Sequence, residues 1–409
     1  MHVEPASLGL YYHIPFCSRL CHYCDFVKTA LFSGEQQQAY LAALVKSTEL
    51  WLEQRAELAG TDAFAFSSVF FGGGTPSLLA AEYAPLFAAF RPHLQTEAEI
   101  TLEANPEHIS AERLALWREL GINRLSLGVQ SFQSAGLKFL TREHSPEQAV
   151  AAVRLARQYI QNVNIDLIYG WPGQSPALWR EDLEQALGLG VQHLSLYSLT
   201  YEGQTPFARR VQRGVLEPAA DEALLALYEL ACARLKTAGM VHEEVSNWAL
   251  PGYESRHNAL YWHGSSYLGI GAGAHSYLRD LGPWGLRWKV NSSWRGFSHV
   301  YAKEAGAGAT SIRELLGRGG HELEEGRDAE ALILEEVSSG LRTLKGVNLD
   351  ALCKKTGYKW RPRPSLVQAF EQNWLSLDAG GQLRLTESEW FRETRWSLEV
   401  AMSLEKGVQ

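Results

Sequence analysis

Between about residues 8 and 200, short β-branched and aromatic runs alternate with longer stretches of helical period, and this alternation restricts the fold more than any other feature. Strands joined through helices must run parallel, so the helices pack on the faces of one sheet. Six strand runs are expected, at 10–14, 68–71, 99–102, 124–129, 163–168 and 193–199, with helices such as 36–58 and 146–158 between them. Six units are fewer than the eight of a closed barrel, so the expected class is α/β with a partial (β/α)6 barrel. A helix over 221–238 follows, then a stretch to 297 rich in glycine and tryptophan that holds Trp248, Trp262, Trp284, Trp288 and Trp294. From about 305 the composition shifts to charged helices (328–344, 363–373) and a hairpin at 375–386, the pattern of a smaller helical, winged-helix-like carboxy-terminal domain. The expected domains are 1–205 (barrel), 206–304 (an extension completing the barrel side) and 305–409, with joints at 305–308 and 317–320.

Composition narrows the class of function. Apolar residues are 46% and charged residues 21%, and charge breaks every apolar run before the ~20 residues of a membrane span. A net charge of −8 argues against a nucleic-acid partner. The start, Met1-His2-Val3-Glu4-Pro5, lacks the basic and apolar regions of a secretory signal, so a cytoplasmic location is expected. Five cysteines are present; Cys17, Cys21 and Cys24 fall within eight residues, while Cys232 and Cys353 stand alone in helical segments as small buried residues. In a reducing compartment such clustering points to metal or redox chemistry rather than disulfides.

The three thiols follow directly on the first strand, on the loop at its carboxyl end, where β/α barrels keep their chemistry. A [4Fe-4S] cube needs one outer ligand per iron, so three thiolates leave one iron open. A structural Cys3His zinc site with His13 or His22 is the alternative, although no second CxxC or HxxxH pair supports it. A thioredoxin-like dithiol leaves Cys17 surplus, and Asp25 after Cys24 excludes a c-type haem attachment motif.

Further polar groups fall at the same ends of later strands. Gly72-Gly73-Gly74-Thr75-Pro76-Ser77 lets backbone approach a ligand closely and lacks the Gly-Lys-Ser/Thr of a phosphate loop. Glu103 ends the third strand as a candidate partner for ribose hydroxyls, Gln130 stands at the same level of the fourth, Arg142 can pair with a carboxylate, and Asp166 interrupts the fifth with charge. Gly269 to Ala274 half-matches a dinucleotide fingerprint, but no βαβ unit follows, so it reads as close backbone packing.

The C-x3-C-x2-C spacing resembles the radical SAM superfamily, whose open iron chelates S-adenosylmethionine (SAM). The runs YHIPFC-x3-C-x-YCDF, GGGTPS, LEANP, LSLGVQSF, NIDLIYG-x-PGQ, HLSLYSLTYE-x-x-TPFA and SRHNALYW-x-x-x-x-YLG-x-G-x-GAHS resemble, across residues 10–277, the oxygen-independent coproporphyrinogen III oxidases and their relatives. By that resemblance Cys17, Cys21 and Cys24 bind the cluster, and Tyr11, Gly73, Gly74, Thr75, Glu103, Gln130, Arg142 and Asp166 surround SAM. The oxidase pattern continues to a fourth cysteine, C-x3-C-x2-C-x-C, and has a longer segment before the cluster; here position 26 is Phe26, as in HemW-type haem chaperones. The resemblance therefore implies a haem chaperone that carries a [4Fe-4S] cluster, SAM and haem and passes haem to an acceptor such as a respiratory-chain component, with a homodimer among its expected states. The alternative is the oxidase itself, decarboxylating coproporphyrinogen III through a radical made from SAM. Haem needs an aromatic-lined pocket and an axial ligand. With only three methionines, His257, beside Arg256, Tyr261 and Trp262, is the candidate ligand and His275 the second.

Overall fold

The computed structural model describes residues 6–54, 64–79, 82–291, 293–303, 312–317, 320–324 and 326–406. Six parallel strands lie in chain order across one sheet: β1 (Ala6–Ile14), β2 (Phe64–Gly73), β3 (Leu94–Ala104), β4 (Arg124–Gln130), β5 (Asn162–Tyr169) and β6 (His193–Ser198). The crossovers carry α1 (Gly34–Glu53), α2 (Ala84–Phe90), α3 (Ala111–Leu120), α4 (Ser134–Phe139), α5 (Pro146–Tyr159) and α6 (Pro176–Gly188). Serine side chains at positions 33, 110, 145 and 175 cap α1, α3, α5 and α6, so these four helices begin with a satisfied amino terminus, whereas α2 and α4 have no side-chain cap. The first helix stops at Glu53, short of the expected 58, and residues 55–58 lie outside the described ones.

The sheet extends beyond the six expected strands. After α7 (Pro206–Gln212) and α8 (Asp221–Thr237), β7 (Val241–Glu244) and β8 (Asn247–Ala249) add an antiparallel hairpin to the β6 edge. On the other edge, after α9 (Arg256–Trp262), β9 (Tyr267–Ile270) pairs parallel with β1, and β10 (His275–Leu278), β11 (Leu286–Val290) and β12 (His321–Leu323) follow antiparallel, with α10 (Trp294–Lys303) and α11 (Ile312–Gly317) between the last two. Sequence reasoning missed these because strands of three to five residues carry too little period to read.

The pleat sorts the barrel residues by face. Leu102, Leu125, Leu127, Val163, Ile165 and Leu194 are fully buried against helical residues such as Leu114, Trp117, Val153 and Leu183. The alternate positions, among them Glu99, Thr101, Ser126, Asn164 and Ser195, are buried too, but polar, and they bond across the interior: Asn164 Nδ2 donates to Ser126 Oγ at 2.6 Å, and Ser195 Oγ donates to Asn164 Oδ1 at 3.2 Å. The barrel therefore has its apolar core outside the sheet and a hydrogen-bonded polar lumen.

The tryptophans of the middle region mainly pack. Trp248 and Trp288 are each 1% exposed; Trp248 stacks on His242 with centroids 4.0 Å apart, and Trp288 on Trp51 at 5.1 Å. The carboxy-terminal helices α12 (Ala329–Leu341), α13 (Leu349–Thr356), α14 (Pro364–Glu371) and α15 (Glu393–Ala401) enclose short ladders. Of these, β13 (Val347–Asn348) pairs with β16 (Gln382–Leu385), which closes the expected hairpin with β15 (Leu375–Leu377), and β14 (Tyr358–Trp360) pairs with β17 (Leu404–Lys406). Arg342 links this region to the barrel, its Nη2 donating to Glu244 Oε2 at 3.1 Å and its guanidinium lying 4.6 Å from the Trp262 ring centroid. Cys232 and Cys353 are half-buried rather than buried as expected. The joint expected at 305–308 lies outside the described residues, as do residues 318–319 of the second.

Candidate functional site

The carboxyl ends of β1 to β5 bring nearly all of the expected residues to one mouth. The cysteine loop leaves β1 and is tied back by Cys17 N to Thr29 O (2.9 Å), Thr29 N to Pro15 O (2.7 Å) and Lys28 Nζ to Cys24 O (2.5 Å). The glycine loop after β2 docks against it: Gly74 N donates to Ile14 O and Thr75 N to Phe16 O, both at 2.7 Å. That approach requires glycine. A Cβ on Gly74 would stand 2.8 Å from Phe16 O, and Gly73, at φ +114°, would push one to within 2.6 Å of His13 Cε1.

Arg142 is the hub of the mouth. Its Nη1 points to Cys21 Sγ at 3.4 Å, while Nη2 donates to Asn105 Oδ1 (2.6 Å) and Gly128 O (2.9 Å). Its Nε is buried with no partner. Glu103 Oε2 accepts from Gly73 N at 3.1 Å; burial, with the Asp166 carboxylate beside it, pushes its acid up to about 8, against which the Gly73 N–H acts. Asp166 accepts from Ser126 and Asn164 one layer further in, and burial raises it as well. Tyr11 bonds His13 Nδ1 at 3.1 Å, and His13 Nε2 bonds Val27 O at 2.7 Å, which fixes the ring beneath the cysteine loop. Gln130 and Thr141 hold positive φ values of 69° and 57°, conformations rare for residues with side chains, and both lie in this mouth.

The thiols sit close enough to influence one another. Burial pushes Cys17 up to about 11, with Cys24 and Cys21 adding to the rise and a Thr75 hydrogen bond opposing it. Burial also raises Cys24. Bound metal must displace those protons, since thiolates are the ligands. Three thiols on one loop, a glycine cradle and a guanidinium with an unused buried N–H match an iron–sulfur cube with an open iron and a carboxylate-bearing ligand beside it. Cys17, Cys21 and Cys24 would hold the cluster; Arg142, Glu103, Gln130 and the glycine loop would hold SAM. Among the described residues no three His, Cys, Asp or Glu side chains converge on a point that suits one metal ion.

His257 is placed elsewhere. It is 1% exposed inside the lumen, among Gly9, Ser68 and Glu99 of the amino-terminal halves of the strands. Its Nδ1 bonds Ser68 Oγ at 2.8 Å and its Nε2 bonds the Tyr261 hydroxyl at 2.9 Å; burial holds the imidazole down at about 3, so it is neutral. Arg256 donates to Glu97 O, and His275 lies exposed at the start of β10.

Similarity to known proteins converges on the same reading. The radical SAM superfamily model matches residues 11–186. The haem chaperone HemW of Lactococcus lactis is 37% identical over 341 residues, 82% of this chain and 82% of its own. HemW of Mycobacterium tuberculosis is 42% identical over 285 residues, 68% and 72% of the two chains. The chain belongs to the HemW family. A third HemW relative, from Escherichia coli, is 39% identical over 277 residues, 67% and 71% of the chains. The fold is also that of the Escherichia coli coproporphyrinogen III oxidase HemN, described as a radical SAM enzyme: TM-score 0.74 at 21% identity over 97% of this chain and 91% of that one. For a HemW family member a radical SAM site with its cluster and SAM at this mouth is the family expectation, and the geometry fits it. Asn105, Thr141 and Asp182 emerge only from the structure; the first belongs to the LEANP run, where sequence alone gives it no role. Asp182, fully buried in α6, accepts from Ser131 Oγ (2.9 Å) and Phe132 N (2.8 Å) and so anchors the turn that carries Gln130.

Proposed function

We propose that this HemW family member is a haem chaperone, with a [4Fe-4S] cluster on Cys17, Cys21 and Cys24, SAM at the open iron, and haem as cargo for an acceptor protein such as a respiratory-chain component. The observation that carries this reading over the oxidase is Phe26. It stands where the oxidase pattern has its fourth cysteine, and its ring is 67% exposed on the cluster loop, a large apolar surface left for a partner rather than a ligand. In this reading Arg142, Glu103 and Gln130 bind and orient SAM, and SAM occupancy governs haem transfer rather than substrate turnover. His257 is the proposed haem ligand. Burial keeps it in the neutral form that ligates iron, and its Nε2 leaves the Tyr261 hydroxyl when haem binds.

Anaerobic reconstitution with iron and sulfide, followed by haem titration and a separate assay of coproporphyrinogen III with SAM and a reductant, tests the proposal. About four irons per chain, stoichiometric haem and no porphyrin product are expected. Accumulation of protoporphyrinogen would overturn the chaperone reading, and zinc in place of iron would overturn the cluster.

A further inference from the structure

Arg124 opens β4 with its side chain in the lumen, 2% exposed. Its register neighbours are Thr101 on β3 and Asn162 on β5, and Ser126 lies on the same face two residues on. A buried guanidinium ordinarily stands in a fork of carboxylate or carbonyl oxygens, because an unpaired buried charge costs several kcal/mol. Among the described residues Arg124 has no ion pair and donates no side-chain hydrogen bond, and its Nε is fully enclosed without a partner.

The carboxylates around it are committed elsewhere. Asp166 accepts from Ser126 and Asn164. Glu99 takes Arg256 N and His257 N, and Glu243 takes Ser255 N and pairs with His193. Asp166 feels the Arg124 charge, which opposes the rise that burial gives its acid, yet no side-chain hydrogen bond joins the two, and Arg124 Nε stays enclosed without a partner. A second unmet group lies directly across the ladder: Asn162 Oδ1 is buried without a partner. Asn162 also lines a cavity of about 490 Å³ at the amino-terminal end of the barrel, together with Glu99, Asn123, Tyr253 and Arg256. The unmet donor at this point is the Arg124 fork, and the group that satisfies a planar guanidinium fork is a carboxylate; Asn162 would turn its amide N–H2 toward that group, because its Oδ1 and a carboxylate are both acceptors.

We propose that Arg124 is the anchor of a carboxylate-binding subsite in the barrel lumen, below the SAM site, for a ligand that places one carboxylate there. Two sources share that chemistry, a free small carboxylic acid and a propionate arm of haem. The second rests on the chaperone reading; the first does not.

The reconstituted full-length protein and its Arg124→Gln variant are titrated with sodium propionate, with haem and with haem dimethyl ester, following thermal midpoint and haem absorbance. Propionate that raises the midpoint of the native protein but not of the variant identifies the free acid. A native preference for haem over its diester of about tenfold or more, lost in the variant with iron content unchanged, identifies the propionate arm. If neither propionate nor the acid–ester pair distinguishes the two proteins, the subsite is refuted. Absence of haem binding in every form would instead refute the chaperone reading, and the sodium propionate titration then decides the subsite. Should Arg124→Gln not fold, Arg124→Lys, which keeps charge and loses the fork, and the acid–ester comparison in the native protein alone distinguish the same outcomes.

Discussion

Replacing Asp182 by Asn tests whether a buried carboxylate in α6 carries a pH-dependent cost as the anchor of the SAM-pocket turn. The side chain is fully buried, and burial lifts its acid to about 6 from an ordinary 3.8, against the opposing hydrogen bonds from Phe132 N and Ser131. Because the folded value lies above the unfolded one, the folded chain holds the proton longer. The contribution of Asp182 to stability is therefore intact below pH 3.8 and is lost as pH rises through about 6. The rise from 3.8 to about 6 makes the loss ~3 kcal/mol. Asn at 182 keeps an oxygen for Phe132 N and can donate to Ser131 Oγ, but it does not titrate. The Asn variant should therefore gain about 2.4 kcal/mol relative to the native chain between pH 4 and pH 7.5. Midpoints of paired urea titrations of the cluster-free proteins, followed by tryptophan fluorescence at several pH values, measure that difference, with Trp179 of the same helix as a buried reporter. A difference that stays flat across this range refutes the reasoning, and with it the claim that the turn is held by a desolvated carboxylate.

Three other outcomes are expected. Cys21→Ser removes one of three thiolates and should drop iron from about four per chain to background, while leaving haem uptake within about twofold, since His257 lies apart from the cysteine loop; elemental analysis and haem absorbance check it. Arg142→Lys keeps the charge but cannot bridge Asn105, Gly128 and Cys21 together, so SAM affinity measured by calorimetry should fall on the order of tenfold. Arg342→Ala removes the charge partner of Glu244 Oε2, on a side chain only 3% exposed whose Oε1 is still held by Ser246 N and Asn247 Nδ2, and should cost roughly 2 kcal/mol after allowance for the partial exposure of Arg342, seen as earlier proteolysis of the carboxy-terminal region.

How much was legible in the sequence depended on the length of the signal. The six parallel strands and the residues at their carboxyl ends were readable because a buried parallel strand and its crossover helix give long, distinct patterns, and because Cys17, Gly73, Glu103 and Gln130 each fall at or just past the end of a strand, with Arg142 following the short helix after the fourth. Strands β7 to β12 and the lumen were not, since short edge strands have no period and Ser126, Asn164 and Arg124 look like surface positions until the pleat is known to face an enclosed interior. Of the two aromatic residues that mark His257 in the sequence, Tyr261 does pack against it, whereas Trp262 lies under Arg342 and the other rings around the imidazole are Tyr11 and Phe70. Its bonds to Ser68 and Tyr261 join residues 189 and four positions away, and only the former distance hides from sequence reasoning.

The pairing of β1 with β9 has a consequence for biosynthesis. The strand that leads into the cysteine loop gains its second neighbour only when residues 267–270 exist, about 250 residues after Ile14. At roughly 5–20 residues per second the ribosome needs on the order of ten to fifty seconds to cover that interval. Throughout it one edge of β1 offers unpaired amides and carbonyls, the template on which nascent chains stick to one another. The cluster loop thus emerges early on an unfinished rim, and completion of the barrel is a late, long-range event. Chains cut short before residue 267 should accumulate as aggregates rather than as smaller folded barrels.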